Sequence, residues 1–183
     1  MTEVLFEWDI HLLLWINHIG AEPWDTVVWY ATKTWVWTPL FLWGIRWVIR
    51  RYGRQAWRPL FLTIFSVALS DGISGKLLKP VVGRLRPTHD PAIQSSIRVI
   101  RGYRGGKYGF PSSHAANSAA MACCFAGYAQ HPAVWIIALT WAFLHSLTRL
   151  YLGVHYPSDL LAGWGIGFLI GVVLLATFRR RNA

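Results

Sequence analysis

The chain has 183 residues, a length that suits one compact domain, and 54% of them are hydrophobic, including 12 tryptophans. This composition excludes an ordinary soluble domain and favours an integral membrane protein. The net charge is +10, but the cations cluster between apolar segments instead of covering a solvated face, which argues against a nucleic-acid-binding protein.

The first predicted element is an amphipathic helix over residues 4–18, expected to lie at the membrane interface, with a short first span as the alternative, and a short aromatic helix follows it. Nine of the 12 tryptophans fall in the first 57 residues. Because tryptophan prefers the headgroup level of a bilayer, residues 1–34 are interpreted as an interfacial part. The acidic Glu7 and Asp9 differ from the basic start of a secretory signal peptide, so we expect this segment to stay in the mature protein.

Five apolar segments further along the chain predict membrane helices. The last contains 19 residues without a charge, 160–178, enough to cross a hydrocarbon core of about 30 Å. The expected fold class is an all-α integral membrane protein, a bundle of about five or six transmembrane helices with an N-terminal interfacial helix. Residues 1–183 then form a single membrane-embedded domain. The predicted membrane helices cover residues 35–50, 56–79, 112–129, 132–149 and 157–178.

The polar stretch 80–110 is predicted to be an extramembrane loop. The arginine-rich turn at 50–58 and the terminal arginines 179–181 belong in the cytoplasm by the positive-inside rule. Counting spans from there puts the loop and the segment 149–156 on the same outer face. The cations of the loop oppose this orientation, and phosphate binding accounts for some of them. We expect a bacterial inner-membrane protein whose site faces the periplasm or exterior.

Two cations, Lys79 and Arg86, flank a glycine-containing turn at the outer end of the helix 56–79. Arginine binds phosphate oxygens with two parallel N–H groups, and lysine acts as a mobile point charge. Each would also suit a lipid-headgroup anchor, as cations at helix ends commonly do. Arg84 is interpreted in that second way.

The sequence Pro111-Ser112-Ser113-His114 predicts the start of an apolar helix, with proline at its first position. The N–H groups of Ser112, Ser113 and His114 lack intrahelical partners there, and together with the helix dipole they form an anion site. Simple N-capping by serine is the alternative. An imidazole at His114 can protonate a bound phosphate ester, which favours the anion site.

Pro157 predicts another helix start, with His155 just before it and Asp159 in its first turn. The Asp159 carboxylate then reaches the His155 ring, fixes its tautomer and makes the other ring nitrogen a better base or nucleophile. The alternative is that Asp159 only complements the helix dipole. Asp159 is the only acidic residue after position 90, and Arg149 adds a cation shortly before this pair.

Together the three stretches resemble the type 2 phosphatidic acid phosphatase family, which includes bacterial lipid phosphate phosphatases. Its pattern is matched as Lys-x6-Arg-Pro, Pro-Ser-x-His and Arg-x5-His-x3-Asp within residues 79–159. The family often has Gly where Ser113 stands and Ser where Thr148 stands. Both differences are mild, because Ser113 keeps its backbone N–H and Thr148 keeps a hydroxyl.

The resemblance implies His155 as the nucleophile, His114 as the general acid and Asp159 as the residue that orients His155. It also implies a phosphate cradle. The members of the cradle are Lys79, Arg86, Ser112, Ser113 and Arg149.

The expected function is hydrolysis of the terminal phosphate of a membrane lipid phosphate or diphosphate through a phosphohistidine. We expect no metal and no cofactor, because the cradle supplies positive charge and the chain has no carboxylate cluster to hold a divalent ion. Undecaprenyl diphosphate is the first choice of substrate, while phosphatidylglycerophosphate, phosphatidate and lipid A 1-phosphate also fit. The partners expected are this lipid and the bilayer, without nucleic acid, and the oligomeric state stays open.

Two other classes of protein remain open. One is a lipid phosphotransferase with the same histidine chemistry, in which a hydroxyl group replaces water. The other is a non-catalytic membrane protein whose basic loop binds anionic lipids, for which His155 and His114 would be expendable. A vanadate-dependent peroxidase shares the cradle, but such enzymes are soluble, whereas the composition of this chain favours a membrane protein.

Overall fold

The chain folds into a bundle of helices joined by one long ordered loop. The structure, a computed structural model, describes the backbone of residues 2–180 and the side chains of residues 7–178, so the predicted cytoplasmic arginines 179–181 lie outside the described side chains. Over this range it is all-helical except for an isolated bridge between Leu85 and Tyr108. The helices are α1 (Thr2–His18), α2 (Trp24–Ala31), α3 (Thr38–Tyr52), α4 (Trp57–Asp71), α5 (Lys79–Val82), α6 (Ser113–Ala129), α7 (Pro132–Tyr151) and α8 (Pro157–Arg180).

The predicted helices all occur, and a π-helical turn at Gly72–Leu78 makes α4 and α5 one continuous segment. Three segments are long and apolar enough to cross a membrane: Trp57–Val82, Pro132–Tyr151 and Pro157–Phe178. With 15 and 17 residues, α3 and α6 are shorter. The total of five or six spans, and the interfacial position of α1, therefore stay predictions.

Small side chains make α6 the centre of the bundle, where it packs against α4, α7 and α8. The face of α8 that meets α6 carries glycines at four-residue spacing, Gly163, Gly167 and Gly171. A β-carbon added at any of them would lie closer than 3.0 Å to an atom of α6 or of its N-cap residue Ser112. Small residues let two membrane helices approach closely, and here they hold the start of α8 beside the start of α6.

The loop between α5 and α6 is ordered. Its two ends pair at the bridge, where the Arg86 N–H donates to Lys107 O at 3.0 Å and the Gly109 N–H donates to Arg84 O at 2.9 Å. Its middle buries Ile93 and Ile97 in an apolar cluster that includes Leu13, Ala115, Leu150, Tyr156 and Leu160. The loop thereby ties α1, α6, α7 and α8 together at one end of the bundle.

Candidate active site

Arg86 is fixed at that end of the bundle by its backbone and its side-chain hydrogen bonds. The chain leaves α5 through Gly83, whose φ of +65° is a left-handed conformation that glycine adopts without strain. Arg86 follows in extended conformation and is 8% exposed. Its guanidinium donates to Tyr108 O at 3.1 Å and to Val154 O at 3.2 Å. Two of five N–H groups are used in this way, so the side chain is held while part of it remains for an anion.

The second stretch forms the start of α6, one residue later than the sequence predicts. The helix begins at Ser113, and Ser112 is its N-cap, with its Oγ accepting from Ala115 N at 3.4 Å. Pro111 thus lies before the cap. The Ser112 N–H donates to Asp159 O at 2.9 Å. The expectation that this N–H serves an anion is therefore wrong, and Ser112 retains only its hydroxyl proton for a ligand.

Ser113 and His114 belong to the first turn of α6, and the charges of Arg149 and Arg86 act on His114. Ser113 Oγ is buried and has no hydrogen-bond partner among the described residues. The His114 ring stacks on His145 at 5.7 Å between centroids, and His145 stacks on Trp141 at 5.2 Å. This stack limits the orientations of the His114 ring. A bound anion would supply the acceptor that the Ser113 hydroxyl lacks.

The third stretch brings His155 and Asp159 into contact. His155 Nδ1 lies 3.1 Å from Asp159 Oδ2, which also accepts from the Tyr156 N–H at 3.0 Å. Since an ionised carboxylate only accepts hydrogen bonds, it fixes the His155 proton on Nδ1 and leaves the Nε2 lone pair free. His155 is 1% exposed and Asp159 is fully buried.

Burial and the positive side chains of the site both lower the pKa of His155. Burial is the main cause that lowers the pKa of His155 well below its usual 6.5, and the charges of Arg86, Arg149 and Lys79 lower it further, while a backbone hydrogen bond with Gly109 opposes them. Burial and Arg149 also lower the pKa of Arg86 to about 10, so this side chain stays charged at neutral pH. A neutral imidazole surrounded by cations is suited to attack an anion.

Arg149 is the deepest cation of the site, at 2% exposure. Its Nη1 donates to Thr32 Oγ1 at 2.8 Å and its Nη2 donates to Tyr103 OH at 2.9 Å. Its Nε has no hydrogen-bond partner among the described residues. Neither Thr32 nor Tyr103 is anionic, so the positive charge of Arg149 is not neutralised by them and remains for a bound anion. Lys79 is half-buried at the start of α5, and Asp71 and Asp159 are the acidic groups whose charges reach it.

Comparison with known proteins decides the family. The PAP2 superfamily matches residues 56–183. The chain belongs to this superfamily. It is 36% identical to the lipid A 4'-phosphatase of Bacteroides thetaiotaomicron over 172 residues, covering 91% of this chain and 75% of that protein, and 27% identical to that of Porphyromonas gingivalis, covering 92% and 72%. Its fold resembles the transmembrane PAP2 phosphatidylglycerolphosphate phosphatase of Bacillus subtilis, with a TM-score of 0.71 at 22% identity over 97% of this chain and 87% of that one.

The chain is therefore a membrane-embedded PAP2 enzyme, a lipid phosphate phosphatase. The PAP2 match contains all eight residues that the sequence nominates for the site. The structure places them at one end of the bundle, and hydrogen bonds join the three stretches there: Arg86 to Val154 and Ser112 to Asp159. No group of three or more His, Cys, Asp and Glu side chains within the described residues is arranged to hold a metal ion.

One arginine of this PAP2 site has a different environment from the one the sequence suggests. Arg84, interpreted as a headgroup anchor, donates to Asp159 Oδ1 at 3.0 Å and to Asp9 Oδ2 at 2.7 Å, and its guanidinium lies 4.0 Å from the Tyr156 ring centroid. Asp9 also accepts from the Ser158 N–H at 2.8 Å. Arg84 is thus part of the support of Asp159. The sequence signal for this role of Arg84 is Asp9, because a carboxylate in a largely apolar helix needs a charged or hydrogen-bonding partner.

Proposed function

We propose that this PAP2 phosphatase hydrolyses a lipid phosphate monoester through a phosphohistidine on His155. The observation that carries the proposal is the 3.1 Å contact between His155 Nδ1 and Asp159 Oδ2 in a pocket with Arg86 and Arg149. An imidazole oriented by a carboxylate presents its second nitrogen as a nucleophile. The surrounding cations attract the phosphate and reduce the negative charge that the lone pair has to approach.

In the first step, His155 Nε2 forms a bond to phosphorus while the bond from phosphorus to the lipid oxygen breaks. His114 gives its proton to that oxygen, and binding of the phosphate dianion favours the protonated ring that this step needs. In the second step, His114 takes a proton from water as the water oxygen attacks phosphorus. The nitrogen–phosphorus bond breaks, and inorganic phosphate leaves.

The cradle of Lys79, Arg86, Arg149 and the start of α6 carries the charge of the equatorial phosphate oxygens in both steps. In such sites one preorganised donor is typically worth about 2.7–4 kcal/mol of transition-state stabilisation. Positioned cations of this kind do the work of a divalent ion. We therefore propose a metal-independent reaction and expect full turnover in the presence of EDTA.

The intermediate is tested with two variants and two substrates. We expect His155→Ala to lose turnover and to form no ³²P-labelled protein, with the fold unchanged by circular dichroism. His114→Ala should lose activity on lipid phosphates but regain it on p-nitrophenyl phosphate, whose leaving group needs no acid. Activity of His155→Ala above a few per cent of wild type would exclude His155 as the nucleophile. Transfer to an added alcohol instead of water would identify a phosphotransferase.

For the substrate we propose the 4'-phosphate of lipid A. Two relatives that match over nine-tenths of this chain are lipid A 4'-phosphatases, and we give this support more weight than the sequence argument for undecaprenyl diphosphate. A panel of lipid phosphates assayed with the purified protein tests this choice. We expect the highest kcat/KM for lipid A 4'-phosphate, and a higher value for undecaprenyl diphosphate would contradict it.

A further inference from the structure

Asp71 is a charged residue that the reaction does not use. It lies at the end of α4, inside the apolar segment Trp57–Val82, and its side chain is exposed. Its Oδ1 accepts a hydrogen bond from Asn117 Nδ2 of α6 at 3.1 Å. A carboxylate within a membrane span is costly unless it faces a polar partner or a water-filled cavity, and such residues usually serve function.

Unpaired polar atoms surround this carboxylate. Asn117 Oδ1, Ser74 Oγ and Ser113 Oγ are buried, and none has a hydrogen-bond partner among the described residues. Buried polar groups in proteins are nearly always paired. The side of the bundle between α4 and α6 therefore offers hydrogen-bonding capacity that these residues do not satisfy among themselves.

Gly75 connects this region to the phosphate cradle. A β-carbon on Gly75 would lie 3.3 Å from Ser113 Oγ and 3.7 Å from Asp71 Oδ1. The hydroxyl of the cradle and the exposed carboxylate thus border the same narrow space beside Gly75, where even an added methyl group would crowd Ser113 Oγ. The space borders the π-helical turn Gly72–Leu78, and such turns are frequent at functional sites.

The order along the segment indicates which part of a substrate occupies this space. Lys79 lies at the site end, Gly75 is about one turn further in, and Asp71 is about one more turn toward the membrane core. A lipid phosphate has its phosphate in the cradle and its hydrocarbon chains in the core. The group that joins the phosphate to those chains therefore passes Gly75 and reaches Asp71.

We propose that Asp71 and Asn117 form a subsite for a hydrogen-bond donor on the group that carries the phosphate, and that the enzyme prefers phosphates attached to a sugar or polyol. Asp71 accepts a hydrogen bond from a hydroxyl or N–H of that group, and the free Asn117 oxygen accepts a second. Phosphatidate and prenyl diphosphates have no donor there. This inference rests on the proposed hydrolysis and narrows its substrate class.

The test uses a matched pair of substrates. Phosphatidylglycerophosphate has a free hydroxyl next to its terminal phosphate, and its deoxy analogue has hydrogen there. With the full-length protein in nanodiscs, we expect kcat/KM to be about 10- to 100-fold higher for the hydroxyl form, the value of a hydrogen bond to a charged acceptor. Asp71→Ala, which removes both acceptor oxygens, should remove most of this preference and lower kcat/KM for the hydroxyl form much more than for the deoxy analogue. Lys76→Gln, an exposed charge in the same turn, is the control and should keep the preference.

Each other outcome overturns a defined statement. Lipid A 4'-phosphate is the reference substrate. If the wild type hydrolyses none of the three lipids, the proposed hydrolysis fails and the subsite with it. If it hydrolyses lipid A 4'-phosphate but does not prefer the hydroxyl form within the matched pair, the hydrolysis stands and the subsite is wrong. If Asp71→Ala loses activity equally on both members of the pair, the preference does not come from Asp71. The comparison on the wild type alone decides the matter should the variant fail to fold.

Discussion

The Asp159 carboxylate holds three groups in place at once: the His155 ring, the Tyr156 N–H and the Arg84 guanidinium. Each bond uses an oxygen with a defined direction, so the imidazole has little freedom to rotate. Arg84 in turn connects Asp159 to Asp9. At the scale of single residues, the proposed nucleophile His155 is oriented by a chain of charges that begins in another helix.

The protonation state of His155 is measurable directly. Because burial and the nearby cations disfavour the imidazolium, we expect the ring to stay neutral, with its proton on Nδ1, at pH values below its usual pKa of 6.5. Two-bond ¹⁵N–¹H correlation spectra of histidine-labelled protein report both properties. The His155→Ala variant assigns the signal. An imidazolium pattern for this ring at pH 6.5 would contradict the expectation.

Arg84 is expected to act on catalysis through position. Arg84→Gln removes the link between Asp9 and Asp159, so we expect kcat to fall about 10- to 100-fold with KM little changed, and the free energy of unfolding to fall by about 1–3 kcal/mol. Arg104→Gln, an exposed arginine of the same loop, is the control and should change neither value. In a double-mutant cycle, Asp9→Asn should add little to Arg84→Gln. Strict additivity would show that the two side chains act separately.

At the scale of elements, the sequence predicts the site well where its residues stand at helix ends. The change from polar to apolar residues marks the starts of α6 and α8, and the spacing of His155 and Asp159 across the start of α8 indicates their contact. The use of the Ser112 N–H is not predictable in this way, because its acceptor, Asp159 O, belongs to a different helix. A hydrogen bond between residues that are far apart in the sequence and meet only on folding produces no spacing pattern from which it could be predicted.

The close approach of α6 and α8 gives a prediction of its own. At Gly167 a β-carbon would collide with Ala116 O and the Ala119 side chain, whereas at Gly165 it would meet nothing within 4 Å. We expect Gly167→Ala to force the helices apart, with a lower unfolding temperature and lower kcat because Asp159 moves with α8. Gly165→Ala is the matched control and should leave both unchanged. Equal behaviour of the two variants would show that this packing does not position the site.

At the scale of the whole molecule, all three stretches of the site lie at one end of the bundle. The loop between α5 and α6 lies at that end, and the turn between α3 and α4 lies at the opposite end of α4. The composition of these segments favours an exterior site, although the loop is itself rich in cations. The distribution of charged residues therefore does not determine the orientation in the membrane, which stays a prediction.

Thiol labelling tests the orientation. Ser95 in the loop and Gln55 in the turn between α3 and α4 are both exposed, while the native Cys123 and Cys124 are buried. We expect a membrane-impermeant maleimide to label Ser95→Cys in intact spheroplasts and to label Gln55→Cys only after lysis. The reverse pattern would place the site in the cytoplasm and would exclude lipids of the outer leaflet as substrates.

The contact of Asp9 with Arg84 and Ser158 has a consequence for chimaeric enzymes. The stretch that matches the PAP2 superfamily begins at residue 56, whereas this carboxylate comes from α1. Grafting the matched stretch behind the N-terminal helices of another phosphatase would therefore transfer every residue that we propose to bind phosphate and still leave Arg84 without its second acid. Such exchanges should succeed only where the donor helix presents an aspartate at the position of Asp9, which makes the N-terminal helix a determinant of compatibility between relatives.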